Sequence, residues 1–228
     1  MRTLAALCML LAAPLAAQDA GPATIVTTGE ATVRKAPDVA FVNVAVETRA
    51  RTSREAQGSN ADIATAVLKR LGEVGIPRDA IRTSGLRVEQ EFDYNNGRRT
   101  LRGYVARNAV EVRMDDVTKV GDVSDAAVQA GATSIDGVRF DLKDRGAAER
   151  EALRMAVADA RGRADAIAAG AGRNVGAIVK IEESRAAGYE PRPMVAMDRM
   201  VVGSAAPTPV EPGFIDVRAR VVLTVAIQ

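Results

Sequence analysis

The chain has 228 residues, 47% of them hydrophobic, enough to bury a sizeable core in one domain or two closely packed lobes. Its formal net charge is +2, so no strong overall field calls for a polyanionic partner. It has no histidine, and its one cysteine, Cys8, lies in a segment that we expect to be removed. A mature chain without either residue type excludes cysteine nucleophiles, Ser-His-Asp triads, and zinc or iron sites built on them. We therefore predict neither an enzyme nor a bound cofactor.

The first 17 residues have the layout of a secretory signal peptide. Arg2 gives a basic start, Leu4 to Leu15 is an apolar run, and Ala16-Ala17 supplies small residues at the expected cleavage point. The run is too short to span a membrane as a mature helix. We expect an exported, soluble protein, with one domain over residues 24–228.

Alternating segments predict two strands at the start of the mature chain. Thr24 to Lys35 alternates weakly, and Val39 to Thr48 places Val42, Val44 and Val46 on one face. The turn between them is Ala36-Pro37-Asp38.

A capping box then predicts a helix. Thr52 and Glu55 have the required spacing, and Ile63, Val67 and Leu71 recur on one face. Gly72 to Pro77 ends this helix.

Two long strands follow, Ile81 to Tyr94 and Arg98 to Met114, joined at Asn95-Asn96-Gly97, a strong hairpin signal. A three-residue loop keeps the apolar faces of the strands in phase, whereas a two-residue turn pairs them out of phase. The faces in question are Leu86, Val88, Phe92 and Tyr94 on the first strand and Tyr104, Ala106, Val110 and Val112 on the second.

A short helix and a strand come next. Asp115 or Asp116 caps the helix, Gly131 closes it, and Ser134 to Leu142 is the strand. The helix carries its apolar residues at Val117, Val120, Val123 and Ala127.

The longest helical pattern runs from Asp144, a capping residue, to Arg173, with Gly170 and Gly172 marking its end. Its mostly alanine stripe predicts close packing on a sheet. The stripe consists of Leu153, Ala156, Val157, Ala160, Ala164, Ile167, Ala168 and Ala171.

Two strands close the chain, Asn174 to Ser184 and Phe214 to Gln228. The second alternates without a break, which predicts a central place in its sheet. Between them, residues 185–213 are rich in proline and predict a long excursion from the sheet.

Four short motifs occur along the mature chain: Pro37-Asp38-Val39-Ala40, Gly103-Tyr104 with Asn108 and Val110, Gly137 with Phe140, and Ala148-Glu149 through Ala152-Leu153 to Gly172. In their order and spacing they resemble the SIMPL-domain family, which includes YggE-like and immunogenic periplasmic proteins of Gram-negative bacteria. One departure is Gly29-Glu30-Ala31, where the family often has a second glycine. The resemblance implies an α+β fold with mixed, largely antiparallel sheets and helices on one side, a periplasmic location, and an association with oxidative-stress defence. It implies no catalytic residues.

Acidic pairs are the first candidate for chemistry, as acid and base or as ligands for a hard cation. We interpret them as solvated charge and helix caps, since long charged side chains are mostly exposed. An enzyme using carboxylate, serine, lysine or tyrosine remains the third-ranked alternative. The pairs are Glu89/Glu91, Asp115/Asp116 and Glu182/Glu183.

A basic hairpin is the second candidate, because arginines beside aromatic residues can bind nucleic acid. Alternation assigns these aromatics to the core, nearby acids offset the charge, and export argues against such a partner. We therefore predict no nucleic-acid partner. The residues are Arg98, Arg99, Arg102 and Arg107 beside Phe92, Tyr94 and Tyr104, with Glu89, Glu91 and Asp93 close by.

Methionines in the long excursion are the third candidate. Met194, Met197 and Met200 could bind Cu(I) or consume oxidant, although methionine more often fills apolar contacts. We predict that this apolar patch mediates contacts in a homo-oligomer or with envelope proteins, and a Cu(I)- or small-ligand-binding module is the alternative. The patch consists of Met194, Val195, Met197, Met200, Val201 and Val202.

Overall fold

The computed structural model describes residues 23–95, 97–184 and 208–228, and in this part of the chain three helices pack on two antiparallel sheets. The α+β fold class is confirmed. The elements are β1 (Thr24–Lys35), β2 (Val39–Ala50), α1 (Ser53–Glu73), β3 (Ile81–Asn95), β4 (Arg98–Met114), α2 (Val120–Gln129), β5 (Ser134–Asp141), α3 (Arg145–Gly170), β6 (Val175–Glu183) and β7 (Ile215–Ile227).

The first sheet has three strands in the order β1-β7-β6. Strands β1 and β7 pair along their whole length, from Thr24 opposite Ala226 to Lys35 opposite Ile215. The central place predicted for the last strand is therefore confirmed. The second sheet has the order β3-β4-β2-β5, so the turn after Lys35 carries the chain from one sheet to the other.

Helix α3 lies on the three-stranded sheet at very close range. Asp144 caps its start as predicted, accepting a hydrogen bond from the Ala147 N–H at 2.7 Å. A Cβ built on Gly29 of β1 would lie 2.0 Å from the Ala156 carbonyl oxygen and 2.4 Å from the Ala160 nitrogen. Only glycine leaves room for the helix backbone at this point.

The buried stripe of α3 differs in part from the predicted one. Leu153 and Val157 are half-buried beside it, Ile167 is 50% exposed, and Ala171 lies in the exposed cap. Large side chains do not fit where the backbones approach this closely, so alanines alone occupy the contact, one every fourth residue. They are Ala148, Ala152, Ala156, Ala160, Ala164 and Ala168.

Helices α1 and α2 cover one face of the four-stranded sheet with larger side chains. Thr52 caps α1 through the Glu55 N–H, as the capping box predicted. Asn60 is buried in this layer, and its amide donates to the carbonyls of Val46 (2.9 Å) and Ala106 (3.0 Å), tying β2 to β4. The core around it includes Val42, Val44, Val67, Leu71, Val112, Val120 and Val123.

The β3–β4 hairpin corrects the predicted loop. Asn95 pairs with Arg98, so two residues rather than three separate the strands. Glu91 pairs with Gly103 and Phe92 pairs with Leu101, which leaves Arg102 as an extra, bulged residue on β4. This bulge brings the apolar faces of the two strands back onto the same side of the sheet. Below the bulge the apolar faces match as predicted, with Val88 opposite Ala106.

Residues 208–214 connect the two layers. Thr208 donates from its backbone N–H and its hydroxyl to Asp125 of α2, at 3.2 and 2.7 Å. Val210 packs against the core under α2, and the chain then enters β7. The remainder of the predicted excursion, residues 185–207, lies outside the described residues.

Candidate functional site

Strand β6 forms one outer edge of the three-stranded sheet and is its most exposed strand. Ile178, Val179 and Ile181 are 47%, 57% and 48% exposed. Helix α3 packs on β1 and β7 and has little contact with β6, so these side chains remain uncovered. We call residues 178–182 the β6 edge.

The opposite edge of the same sheet is sealed by α3. The carboxylate of Asp159 accepts a hydrogen bond from the Glu30 backbone N–H of β1 at 3.0 Å, and Arg163 approaches the same oxygen at 3.0 Å. The Glu30 N–H, more than Arg163, holds the pKa of Asp159 below its usual range. Further along β1, Lys35 forms a 3.0 Å ion pair with Glu151 of α3. In the described part of the chain, no helix side chain caps the β6 edge in this way.

Two opposite charges lie on the β6 edge. The Lys180 ammonium is 2.8 Å from the Glu182 carboxylate, and both side chains are more than half exposed. They are two positions apart on one strand and therefore project from the same face. The edge thus combines three apolar side chains with one cation and one anion.

A groove of about 750 Å³ begins where β6 ends, between the first turns of α3 and strand β7. Its charged groups are mostly paired: Glu30 lies 2.6 Å from Arg220, and Glu149 lies 3.4 Å from Arg145. The groove is therefore lined by carboxylates and guanidinium groups that largely engage one another.

Capping and ion pairing account for most members of the acidic pairs, including Glu89, which lies 3.6 Å from Arg87. Asp116 accepts hydrogen bonds from the Thr118 hydroxyl (2.6 Å) and backbone N–H (3.1 Å), which lower its pKa, and Asp115 lies 3.0 Å from Arg113. Glu91 is 3.3 Å from Arg49. Across residues 23–95, 97–184 and 208–228, no three acidic, histidine or cysteine side chains are placed to hold a metal ion.

The fold separates the residues of the basic hairpin, and the assignment of its aromatics to the core is wrong: Phe92 and Tyr104 are only half-buried, and Tyr94 is exposed. Tyr94 is 71% exposed near the tip of the hairpin, because the helices do not extend beneath it. Arg107 lies further down β4 and bonds to Glu47 and Asp136. The hydrogen bond from Arg107 lowers the pKa of Asp136, while that same bond raises the pKa of Arg107.

Two predicted features lie outside the described residues. They are the signal peptide and the interaction patch of Met194, Val195, Met197, Met200, Val201 and Val202, which also holds the copper candidates. Among the residues that are described, no helix has the length and apolarity needed to cross a bilayer.

Sequence reasoning recognised β6 as a strand but did not identify it as an exposed edge. The signal was present in part: β7 alternates strictly, whereas Ile178, Val179 and Ile181 occupy both parities of β6. A strand with apolar residues on both faces is either deeply buried or available for contact, and only the strand order distinguishes the two.

Comparisons with known proteins identify a family and several relatives. The family described as "SIMPL: Protein of unknown function (DUF541)" matches residues 25–225. The 26 kDa periplasmic immunogenic protein of Brucella melitensis is 30% identical over 167 residues, and the aligned region covers 71% of this chain and 67% of that protein. The uncharacterized protein YggE of Escherichia coli K12 is 29% identical over 183 residues, covering 80% of this chain and 73% of its own. The chain belongs to the SIMPL family.

Proposed function

We propose that this protein is a non-enzymatic, exported envelope protein that acts by self-assembly, with the β6 edge of one copy pairing with the β6 edge of a second. The observation that carries the proposal is the contrast within one sheet, where β1 is capped by Asp159 and β6 is apolar and uncapped. Strand edges that no helix or loop covers are sites of strand pairing, and β6 is regular from Lys180 to Glu183, after a bulge at Val179. The periplasmic relative supports the location.

The sequence of β6 suits an antiparallel, two-fold contact. Pairing centred on Ile181 places Ile181 opposite its own copy and Lys180 opposite Glu182 of the partner subunit, twice by symmetry. Shifting the centre by one residue to Lys180 would place two lysines opposite each other. The charges therefore specify a register as well as a partner.

The apolar residues supply the driving force. Ile178, Val179 and Ile181 are each about half exposed, so removing them from water would contribute roughly half of the 1.5–3 kcal/mol of a fully buried apolar side chain. Pairing also satisfies backbone N–H and C=O groups along the strand and joins two three-stranded sheets into one of six strands. Association costs on the order of 4–15 kcal/mol, so the six side chains offset the lower part of that range and the new backbone hydrogen bonds add to them.

The interaction patch predicted at Met194–Val202, the Cu(I) alternative and a role in oxidative-stress defence stay predictions. Replacing Met194, Met197 and Met200 with serine tests the patch independently of β6. A shift toward monomer in this variant, with no shift in the β6 variant below, would assign assembly to the patch instead.

The test is the molar mass of the mature protein by size-exclusion chromatography with light scattering. Ile181→Lys should shift the protein toward monomer with its circular dichroism unchanged, whereas Ile167→Lys, at a residue of equal exposure on α3, should not. Lys180→Glu should weaken assembly, and adding Glu182→Lys should restore it by exchanging the two charges. A monomeric wild type, or an Ile181→Lys variant with the wild-type mass, would overturn the proposal.

A further inference from the structure

The β3–β4 hairpin extends well beyond the four-stranded sheet. Strand β2 pairs with β4 only as far as Ala50 opposite Tyr104, so residues 91–95 and 97–103 form a ribbon of two strands. At about 3.3 Å per residue, the five residues from Glu91 to Asn95 carry it roughly 17 Å past the sheet. We call this ribbon the hairpin arm. A two-stranded ribbon is marginal by itself, which favours a role in contact with another surface.

One face of the hairpin arm is apolar and aromatic. Phe92 pairs with Leu101 and Tyr94 pairs with Arg99, so all four side chains share a face. Tyr94 is 71% exposed and Leu101 is 46% exposed. The Arg99 guanidinium lies 3.5 Å from the centroid of the Phe92 ring.

The charges of the hairpin arm are unequally compensated. Arg102 lies 3.8 Å from Glu91 and 3.9 Å from Asp93, so the two acids of the arm are engaged by the same arginine. Within the described residues, Arg98 and Arg99 form no ion pair with a carboxylate. Two uncompensated guanidinium groups therefore stand beside an apolar face at the far end of the arm.

We infer that the hairpin arm docks the protein onto an anionic lipid surface. Tyr94 and Leu101 enter the boundary between head groups and acyl chains, and Arg98 and Arg99 contact lipid phosphates. An amphipathic tyrosine, an apolar side chain and arginines with long apolar stems suit this boundary. Because the arm projects from the body, it can reach a flat surface without burying either helix layer.

The same geometry argues against two other partners. In a two-fold contact between arms, Arg98 and Arg99 would meet their own copies, and like charges would repel. Single-stranded nucleic acid stacks successive bases on several aromatic rings, whereas Arg99 covers the Phe92 ring and leaves Tyr94 as the exposed aromatic of the arm.

Co-sedimentation of the mature protein with lipid vesicles tests the inference. The wild type should sediment with mixed phosphatidylglycerol and phosphatidylcholine vesicles, and much less with phosphatidylcholine alone or at high salt. Arg98→Glu with Arg99→Glu should lower the partition coefficient at least about tenfold. Arg161→Glu with Arg173→Glu, an equal charge change on α3 and the turn after it, should leave it near the wild-type value.

The chain has no tryptophan, so Tyr94→Trp introduces a single fluorescent reporter. Its emission should shift to shorter wavelength with the anionic vesicles. Failure of the wild type to sediment with those vesicles, equal losses in the two charge variants, or an unshifted emission would each overturn the inference. A change of molar mass in the Arg98→Glu/Arg99→Glu variant without lipid would assign the arm to a protein contact, and release of the vesicles by an oligonucleotide would assign it to nucleic acid.

Discussion

The two helix layers of this protein are packed in opposite ways. Helix α3 contacts its sheet through alanines, and the approach is so close that β1 needs Gly29 beneath it. Helices α1 and α2 contact theirs through larger residues such as Leu71 and Val123. The α3 layer is therefore sensitive to added atoms, and the α1/α2 layer is sensitive to removed ones.

The close layer also determines which strand edge remains available. Because α3 lies directly on β1 and β7, its Asp159 reaches the β1 backbone, while β6 extends beyond the helix. The close packing of α3 on β1 and β7 thus protects the β1 edge of the sheet and leaves the β6 edge uncovered. The contact surface that we propose at β6 follows from this placement.

The largest effect is expected from removing bulk in the α1/α2 layer. Leu71 is fully buried, so Leu71→Ala should lower the free energy of unfolding by about 2–5 kcal/mol through lost burial and a cavity. Urea denaturation measures this, with Val128→Ala, at an exposed residue of α2, as the control. Equal midpoints for the two variants would contradict the packing described for this layer.

Adding a single carbon to the α3 layer should have the next largest effect. Gly29→Ala should lower the free energy of unfolding by about 1–3 kcal/mol, since the new Cβ meets helix backbone that cannot rotate away. The matched control is Gly58→Ala in α1, where no atom lies within 4 Å of the new Cβ. That change should stabilise the protein by about 0.5–1 kcal/mol, because alanine is the better helix former. Replacing glycine with alanine should therefore lower the free energy of unfolding at Gly29 and raise it at Gly58.

Enlarging the helix side of the same contact gives a comparable loss. Ala160 is fully buried, so Ala160→Leu should cost about 1–3 kcal/mol by overpacking. Arg163→Ala, one turn along α3, removes only an exposed ion pair with Asp159 and should cost about 0–1 kcal/mol. A thermal melt of Ala160→Leu that coincides with the melt of the wild type would show that the alanine face is not in close contact.

Much of the fold could be predicted because its signals are local. Thr52 and Asp144 cap their helices through residues three positions away, which a sequence displays directly. The unbroken alternation of β7 likewise indicated its central place. Such patterns depend on neighbours in the chain, so they survive without knowledge of tertiary packing.

The features that sequence reasoning missed depend on distant partners. Ile167 fits the helical period of α3, but the sheet surface does not extend to it. Tyr94 fits the apolar face of β3, but the hairpin projects beyond the helices. The bulge at Arg102 depends on how β3 and β4 pair across the hairpin. The candidate site at the β6 edge belongs to the same class, since only strand order shows that the edge is open.

The smallest effect concerns the sealed edge, and it sharpens the contrast between β1 and β6. The hydrogen bond from the Glu30 N–H lowers the pKa of Asp159 below its ordinary value of 3.8, so the carboxylate form stabilises the folded state. This stabilisation is fully present above the unfolded pKa and is lost as the pH falls through the lower folded pKa. Asp159→Ala should therefore be less stable than the wild type near neutral pH, and the gap should close in acid. Urea denaturation across this range measures the gap, with Asp165→Ala on the same helix as the control.

Asp159→Ala also removes the cap from the β1 edge, so the molar mass of this variant at high concentration should exceed that of the wild type. A stability difference that does not change with pH, together with an unchanged molar mass, would show that Asp159 does not protect the edge.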